Sequence, residues 1–261
     1  MDLDNYYVGT TLILLFIFLS AMGSVAIRKV KGIRIIIQHH EIIGYFFPIA
    51  GGIYGILLGL VVVNSIAMFD AARDTVNAEA TDLMSIYTLA NSLPEARRTR
   101  IQALCKEYVK EVIDNEWVKM DQQAYHPPAR ELVLRLYDEI LQAAEKNDNI
   151  GQSLLDVARS MWENRRHRLD IAARNIPDVE WIALCLGGIL IILFSYSLVT
   201  DSIVVQVTGN VMLSSMIALN IYLVLLFGSP FSGDLHVSNF PFANAMATFK
   251  DIDSYHLRKP R

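Results

Sequence analysis

The sequence is poor in charged residues and in cysteine. Charged residues make up 19% of its 261 residues and hydrophobic residues 53%, whereas a soluble domain usually carries roughly 25% charge. A chain this apolar is not intrinsically disordered, and its two cysteines do not supply the disulfide framework of a small secreted module. The net charge of -4 offers no basic field for a phosphate backbone, which excludes a nucleic-acid binder.

The sequence also lacks the residue patterns of common enzymes. It contains no His-Glu-x-x-His pair, no Gly-Lys-Ser phosphate loop and no Gly-x-Ser-x-Gly turn, so it gives no sign of a zinc hydrolase, a P-loop enzyme or an α/β-hydrolase. Its longest apolar runs carry no carboxylate, which argues against a proton relay inside a membrane. We therefore expect no enzymatic activity, no cofactor and no bound metal.

The apolar residues are gathered into four blocks that contain no charge. Each block is close to or longer than the ~20 residues needed to cross a hydrocarbon core. None shows the polar face that a soluble amphipathic helix presents at every third or fourth position. The sequence therefore predicts four transmembrane helices, within residues 9–27, 42–69, 181–200 and 203–231.

A polar segment with helical periodicity separates the second block from the third. Ile101, Leu104, Cys105, Tyr108 and Val112 fall on one helix face. Three further stretches have the same period: Val76, Leu83, Ile86, Tyr87 and Ala90; Leu132 or Val133, Leu136, Ile140 and Ala143; and Leu154, Val157, Met161 and Leu169. The pattern predicts an insert of four or five helices.

Helix-capping residues and prolines indicate where these helices begin. Ser92, with Glu95 three positions later, predicts a capping box, and the Pro127-Pro128 pair predicts the next start. No glycine or proline marks the junction at Phe69 and Asp70, so the second transmembrane helix is expected to continue into the insert. Near the C-terminus, Asn239 is a candidate cap for a short amphipathic helix that places Phe242, Met246 and Phe249 on one side.

These features together predict an all-α membrane protein. Its expected segments are transmembrane helices 1 and 2 in residues 1–69, a helical domain in 70–179, transmembrane helices 3 and 4 in 180–231, and a tail in 232–261. Basic residues at Arg28, Lys29, Lys31 and Arg34 favour a cytoplasmic position for the first loop. Long domains follow that charge rule poorly, so it leaves the orientation open.

The second transmembrane block has an unusual glycine spacing. Gly51, Gly55 and Gly59 repeat every fourth residue, which is typical of a face that lets two helices approach closely. The adjacent stripe has the same spacing and consists of Gly52, Ile56, Leu60 and Asn64. If several copies of this helix surround an axis, such a stripe lines a central lumen. Its apolar side chains then form a constriction that gates ion passage by dewetting.

The insert carries a concentration of arginine near its membrane ends. Two interpretations are open, a snorkelling anchor at the membrane surface and a vestibule that attracts anions. The residues concerned are Arg73, Arg165, Arg166 and Arg168.

Several segments of the sequence, taken in their order along the chain, resemble the bacterial bestrophin-like family. The resemblance covers essentially the whole chain. The resemblance rests on residues 54–64 leading into 69–73, on Glu79-Ala80, on Tyr108 with Glu116-Trp117, on the arginines of 165–168, on Trp181, and on the Pro-Phe-Ser-Gly-Asp run of 230–234.

The resemblance implies a homopentameric anion channel, permeable to ions such as chloride, in a bacterial inner membrane. It puts Leu58, Gly59 and Leu60 on a pore helix whose stripe forms a narrow neck, and it places the insert and both termini in the cytoplasm. Bestrophin necks tend to be aromatic, whereas the matching positions here are Gly52, Ile56 and Leu60. The acidic run that binds calcium in animal bestrophins is also missing, so calcium gating is not expected. The alternative is a non-conducting membrane scaffold or sensor whose helical domain binds a partner.

Overall fold

The computed structural model describes residues 5–29, 40–121, 127–144, 148–174, 176–200 and 202–258. Lys31 and Arg34, which entered the charge argument, lie outside these ranges. The regular structure of the described residues is helical. In chain order the helices are α1 (Tyr6–Ile27), α2 (His40–Leu89), α3 (Glu95–Glu111), α4 (Trp117–Asp121), α5 (Pro127–Ala144), α6 (Asp148–Ala173), α7 (Asp178–Ser195), α8 (Ile203–Phe227) and α9 (Phe240–Arg258).

The chain forms two compact units. The membrane unit comprises Met1–Phe69, Asn175–Ser229 and Gly233–Leu235, and the helical unit comprises Asp70–Arg174, Pro230–Ser232 and His236–Arg261. Helix α7 lies in the second of the membrane unit's segments and begins at Asp178.

Four helices of the described residues are long and apolar enough to cross a membrane: α1, α2, α7 and α8. This confirms the predicted all-α architecture with four spans. Helix α2 is 50 residues long and continues past Asp70 without a break. Its apolar first part belongs to the membrane unit and its second part to the helical unit.

Tyrosine rings packed on glycines hold the membrane unit together. The Tyr54 ring occupies the space where a Cβ of Gly187 would lie, and its hydroxyl donates to the Leu184 carbonyl at 3.0 Å. Tyr196 lies against Gly23 in the same way and donates to the Ser20 carbonyl at 2.9 Å. Each contact joins two helices and gives a buried hydroxyl a hydrogen-bond partner. Without that partner, burial of the hydroxyl in an apolar layer would cost free energy.

The core of the helical unit follows the predicted periodicity along α3. Ile101, Cys105, Tyr108 and Val112 have no exposed surface, and Leu104 is buried with them. The predicted cap at Ser92 is wrong, because a short 3-10 turn over Ala90–Ser92 ends there and α3 begins after Pro94 without a side-chain cap.

The C-terminal helix is longer than the sequence indicates, since α9 has 19 residues. Phe242 and Phe249 are fully buried and Met246 is half-buried, as their spacing predicts. The Phe249 ring stacks on Tyr87 with 4.1 Å between centroids. Earlier in the tail, Gly233 adopts a φ of 73°, a left-handed conformation that favours glycine.

Candidate pore face and buried charge cluster

One face of the membrane half of α2 packs within its own chain. Tyr54, Leu58, Val61, Val62 and Ser65 are buried, and the apolar ones form a cluster with residues of α7 and α8. This face fixes how the helix is rotated. It therefore also decides which side chains are left exposed.

The predicted pore stripe lies on the opposite side of α2. Ile56 is 67% exposed and Leu60 65%, and Gly52 and Asn64 are exposed as well. At 100° per residue, Ile56 points roughly 180° away from the centre of the packed face. Within one chain this stripe is an open surface.

The three glycines of the small-residue face are also open in the single chain. A Cβ built on Gly51, Gly55 or Gly59 meets no atom within 4 Å among the described residues. They differ in this respect from Gly23 and Gly187, which the tyrosine rings occupy. Close packing at these three positions stays a prediction, and it needs a neighbour outside the described part of this chain.

A cluster of buried charges forms the centre of the helical unit. Arg168 has no exposed surface. Its Nε and Nη2 donate to the two carboxylate oxygens of Glu79 at 2.7 and 3.1 Å, and Nη2 also donates to Glu116 Oε1 at 2.6 Å. Arg165 donates to the other oxygen of Glu116 at 2.5 Å. Two positively charged and two negatively charged side chains are therefore paired in a site with almost no water-exposed surface.

Tyrosine and aromatic rings complete this cluster. The Tyr108 hydroxyl donates to Glu79 Oε1 at 2.5 Å, and the Arg168 guanidinium carbon lies 5.8 Å from the Trp117 ring and 5.6 Å from the Phe242 ring. Burial, reinforced by the negative charge of Glu79, raises the pKa of Tyr108 well above its usual value. The hydroxyl therefore stays a donor at any physiological pH.

The carboxylates keep Arg168 ionised despite its burial. Burial by itself lowers the pKa of the guanidinium, but the charges of Glu79 and Glu116 outweigh it, and the net pKa shift is upward. A π-helical turn over Val112–Glu116 delivers Glu116 to the cluster. Such turns are frequent at functional sites.

The structure corrects two of the four predicted vestibule arginines. Arg165 is 3% exposed and Arg168 0%, and both are paired with carboxylates, so they present no free positive charge to a passing anion. Arg73 and Arg166 are exposed and remain candidates for that role.

The buried face of α6 explains this correction. Leu154, Ala158, Met161, Arg165 and Arg168 are among its buried residues and form a regular i, i+4, i+7, i+11, i+14 series, which the two arginines continue. Val157 and Leu169, which the sequence placed on this face, are only half-buried. Glu79 likewise lies between the buried residues Val76 and Leu83 of α2. Charged residues at positions that continue a buried apolar face were thus the sequence feature that could have revealed this cluster.

A second, smaller polar contact ties α9 to the rest of the helical unit. Asp253 accepts from the Tyr87 hydroxyl at 2.5 Å and from Lys106 Nζ at 2.6 Å. Partial burial disfavours the charged form of Asp253, but the hydrogen bonds from Lys106 and Tyr87 prevail and lower its pKa. Burial and the Asp253 hydrogen bond raise the pKa of Tyr87 to about 12. Among the described residues, no group of three or more His, Cys, Asp and Glu side chains is placed to hold a metal ion.

The fold and the site define a class: an all-helical membrane protein with four spans and a helical insert between the second and the third. Residues 14–242 match the Bestrophin-like domain. The chain belongs to the bestrophin-like family.

Solved structures share this fold. A crystal structure of a bacterial bestrophin homologue from Klebsiella pneumoniae is 17% identical, with a TM-score of 0.71 over 93% of this chain and 98% of that one. A single-substitution variant of that homologue is 19% identical, with a TM-score of 0.70 over 92% and 98% of the two chains. Comparison with curated protein sequences gives no match.

Proposed function

We propose that this protein assembles into a homopentameric anion channel of a bacterial inner membrane, with α2 of each copy around a central pore. Ile56 and Leu60 form an apolar neck, with Gly52 and Asn64 at its two ends. Gly51, Gly55 and Gly59 allow neighbouring copies of the helix to approach closely. The insert and both termini lie in the cytoplasm.

The observation that carries this proposal is the open face of α2, in particular Asn64. An amide facing hydrocarbon without a partner costs several kcal/mol in order of magnitude, yet Asn64 is exposed in a helix apolar enough to span a membrane. A water-filled lumen or a neighbouring copy removes that cost. The stripe of Ile56 and Leu60 on the same side then faces the axis, not the lipid.

The proposed ion is an anion because the side chains along its path are hydrogen-bond donors and cations, and no ring of acidic residues is proposed there. The side-chain amide of Asn64 offers an N–H to an anion such as chloride. The exposed guanidinium groups of Arg73 and Arg166 raise the local anion concentration, while Arg165 and Arg168 contribute no free charge because each is paired.

Ion flux into liposomes containing the purified protein tests the proposal. Ile56→Ala and Leu60→Ala widen and weaken the dry constriction, so each is expected to raise chloride flux several-fold. Ile182→Ala is the matched control, because Ile182 is 62% exposed on α7 and is not in the proposed neck. Its flux is expected to equal that of the unaltered protein.

The same experiment separates the channel from the alternative of a non-conducting scaffold or sensor. If neither the unaltered protein nor the two neck variants conduct, the channel proposal fails. If Ile182→Ala raises flux as much as Ile56→Ala, the assignment of the neck fails while the channel itself stands.

A further inference from the structure

Tyr54 lies on the packed face of α2, close to the proposed neck. It is two residues away from both Gly52 and Ile56. At 100° per residue, side chains two positions apart point to nearly opposite sides of a helix. A contact that fixes the direction of Tyr54 therefore also fixes where Gly52 and Ile56 point.

Two adjacent glycines of α7 form a notch that holds the Tyr54 side chain. A Cβ on Gly187 would lie 2.6 Å from the ring carbon Cδ2, and a Cβ on Gly188 would lie 2.9 Å from the hydroxyl oxygen. The hydroxyl also donates to the Leu184 carbonyl at 3.0 Å, and Tyr54 is 7% exposed. Any side chain larger than hydrogen at these two glycines would displace the tyrosine, so the notch is specific for glycine.

The neighbouring residues of the packed face restrain α2 less specifically. Leu58, Val61 and Val62 make apolar contacts, which are non-directional. Ser65 donates to the Val61 carbonyl of its own helix. The Tyr54 contact differs, because a ring in a notch and a hydrogen bond both depend on the angle at which α2 faces α7.

Two aromatic contacts hold α2 farther from the proposed neck. The Phe47 ring packs edge-on against Phe194 with 5.7 Å between centroids, and the Phe69 ring against Phe227 with 5.4 Å. Edge-to-face pairs form over a range of about 4.5–7 Å, so they tolerate a rotation of the helix. The enclosed Tyr54 ring does not.

We infer that Tyr54 is a positioning residue, which sets the rotation of the pore helix and so keeps Ile56 at the axis. The inference rests on the proposed channel function. Gly55 lies 100° from Ile56 around the helix, so a rotation that turns Gly55 to the axis removes a bulky side chain from the neck. The contact of Tyr54 with α7 opposes that rotation and keeps the apolar constriction in place.

Chloride flux into liposomes tests the inference with a matched pair of variants. Tyr54→Phe keeps the ring and removes the hydroxyl, and it is expected to raise flux about two- to ten-fold, the range expected for one hydrogen bond within a membrane. Tyr196→Phe is the control, because Tyr196 also packs on a glycine and donates to a backbone carbonyl but lies outside α2. Its flux is expected to equal that of the unaltered protein.

The melting temperatures of the same two variants separate positioning from stability. Each variant loses one hydrogen bond to a helix carbonyl, so both melting temperatures are expected to fall by similar amounts. A purely structural role of Tyr54 would lower its melting temperature in the same way but leave the flux unchanged.

A second pair of variants tests the notch. Gly187→Ala places a methyl group where the Tyr54 ring lies, so it is expected to displace the ring and to raise flux as Tyr54→Phe does. In a Tyr54→Ala background the notch is empty. Gly187→Ala is therefore expected to cause no further rise there.

The outcomes distinguish this inference from the proposed function. Unchanged flux in Tyr54→Phe, while Ile56→Ala raises flux, would overturn the inference and leave the channel proposal standing. An equal rise in Tyr196→Phe, or a full additional rise from Gly187→Ala in the Tyr54→Ala background, would overturn it as well. If none of the proteins conducts, Ile56→Ala included, the channel proposal and this inference fail together.

Discussion

Arg168 has no exposed surface, and its contacts determine what it contributes. Removing a guanidinium from water costs several kcal/mol, and only close pairing recovers that cost. Glu79 and Glu116 supply three hydrogen bonds of 2.6–3.1 Å. Arg168 therefore fixes the positions of α2, the π-helical turn and α6 in the helical unit.

Arg168→Met is expected to destabilise the protein by about 3–5 kcal/mol, because two buried carboxylates lose their main partner. Arg166→Met, a change of the same size at an exposed position of the same helix, is expected to cost less than about 1 kcal/mol. Urea unfolding followed by tryptophan fluorescence measures both. Equal stability of the two variants would contradict the structural role of Arg168.

A second prediction at the residue scale concerns alkaline pH. Burial raises the pKa of the Cys105 thiol to about 12, against about 8.5 in an unfolded chain. The contribution of a group with a raised pKa is complete below its unfolded value and is lost as the pH rises towards its folded value. The thiol alone is therefore expected to lower the free energy of unfolding by up to about 1.4 kcal/mol per pH unit above pH ~9.

Cys105→Ala isolates this contribution. The buried tyrosines Tyr87 and Tyr108 add to the slope as the pH approaches 10, but they do so equally in both proteins. The free energy of unfolding of the variant is therefore expected to fall less steeply with pH, by up to about 1.4 kcal/mol per pH unit. Unfolding curves collected at several values between about pH 9 and 10 measure the two slopes. Parallel slopes for both proteins would show that Cys105 does not titrate on unfolding.

At the scale of helices, periodicity predicted the elements well and their charged contacts poorly. The buried face of α3 depends on residues within three turns of one another, so the sequence contains it directly. The Glu79–Arg168 pair joins residues 89 positions apart, and no local pattern specifies such a partner. The predicted face of α6 runs from Met161 to Leu169 and leaves out Arg165 and Arg168, whereas the structure buries both arginines on the same side as Leu154 and Met161.

The glycines of the membrane unit fall into two sets that allow a matched comparison. A Cβ at Gly23 would lie 2.5 Å from the Tyr196 hydroxyl oxygen, so Gly23→Ala is expected to destabilise the protomer by about 1–3 kcal/mol. A Cβ at Gly55 meets nothing within 4 Å among the described residues. Gly55→Ala is therefore expected to leave the protomer intact or to stabilise α2 by up to about 1 kcal/mol.

Assembly is expected to respond in the opposite order. If Gly55 lies between copies of the protein, Gly55→Ala lowers the oligomeric fraction, and light scattering of the detergent-purified protein measures it together with the melting temperature. A loss of thermal stability in Gly55→Ala without any change in mass would instead place Gly55 against its own chain.

At the scale of the whole molecule, the structural comparisons support the fold, whereas the pore chemistry depends on the side chains of this chain. A TM-score of 0.71 at 17% identity establishes a shared fold, but it does not transfer the side chains of a neck. The constriction proposed here depends on this chain's own Gly52, Ile56 and Leu60. Its properties must therefore be measured on this protein.

The most direct measurement of the central claim is an electron cryomicroscopy average of the purified full-length protein in lipid nanodiscs. The predicted result is a five-fold symmetric particle in which α2 is the innermost helix and Gly52, Ile56, Leu60 and Asn64 face the axis. A monomeric particle, or an assembly in which this stripe faces lipid, would contradict the account.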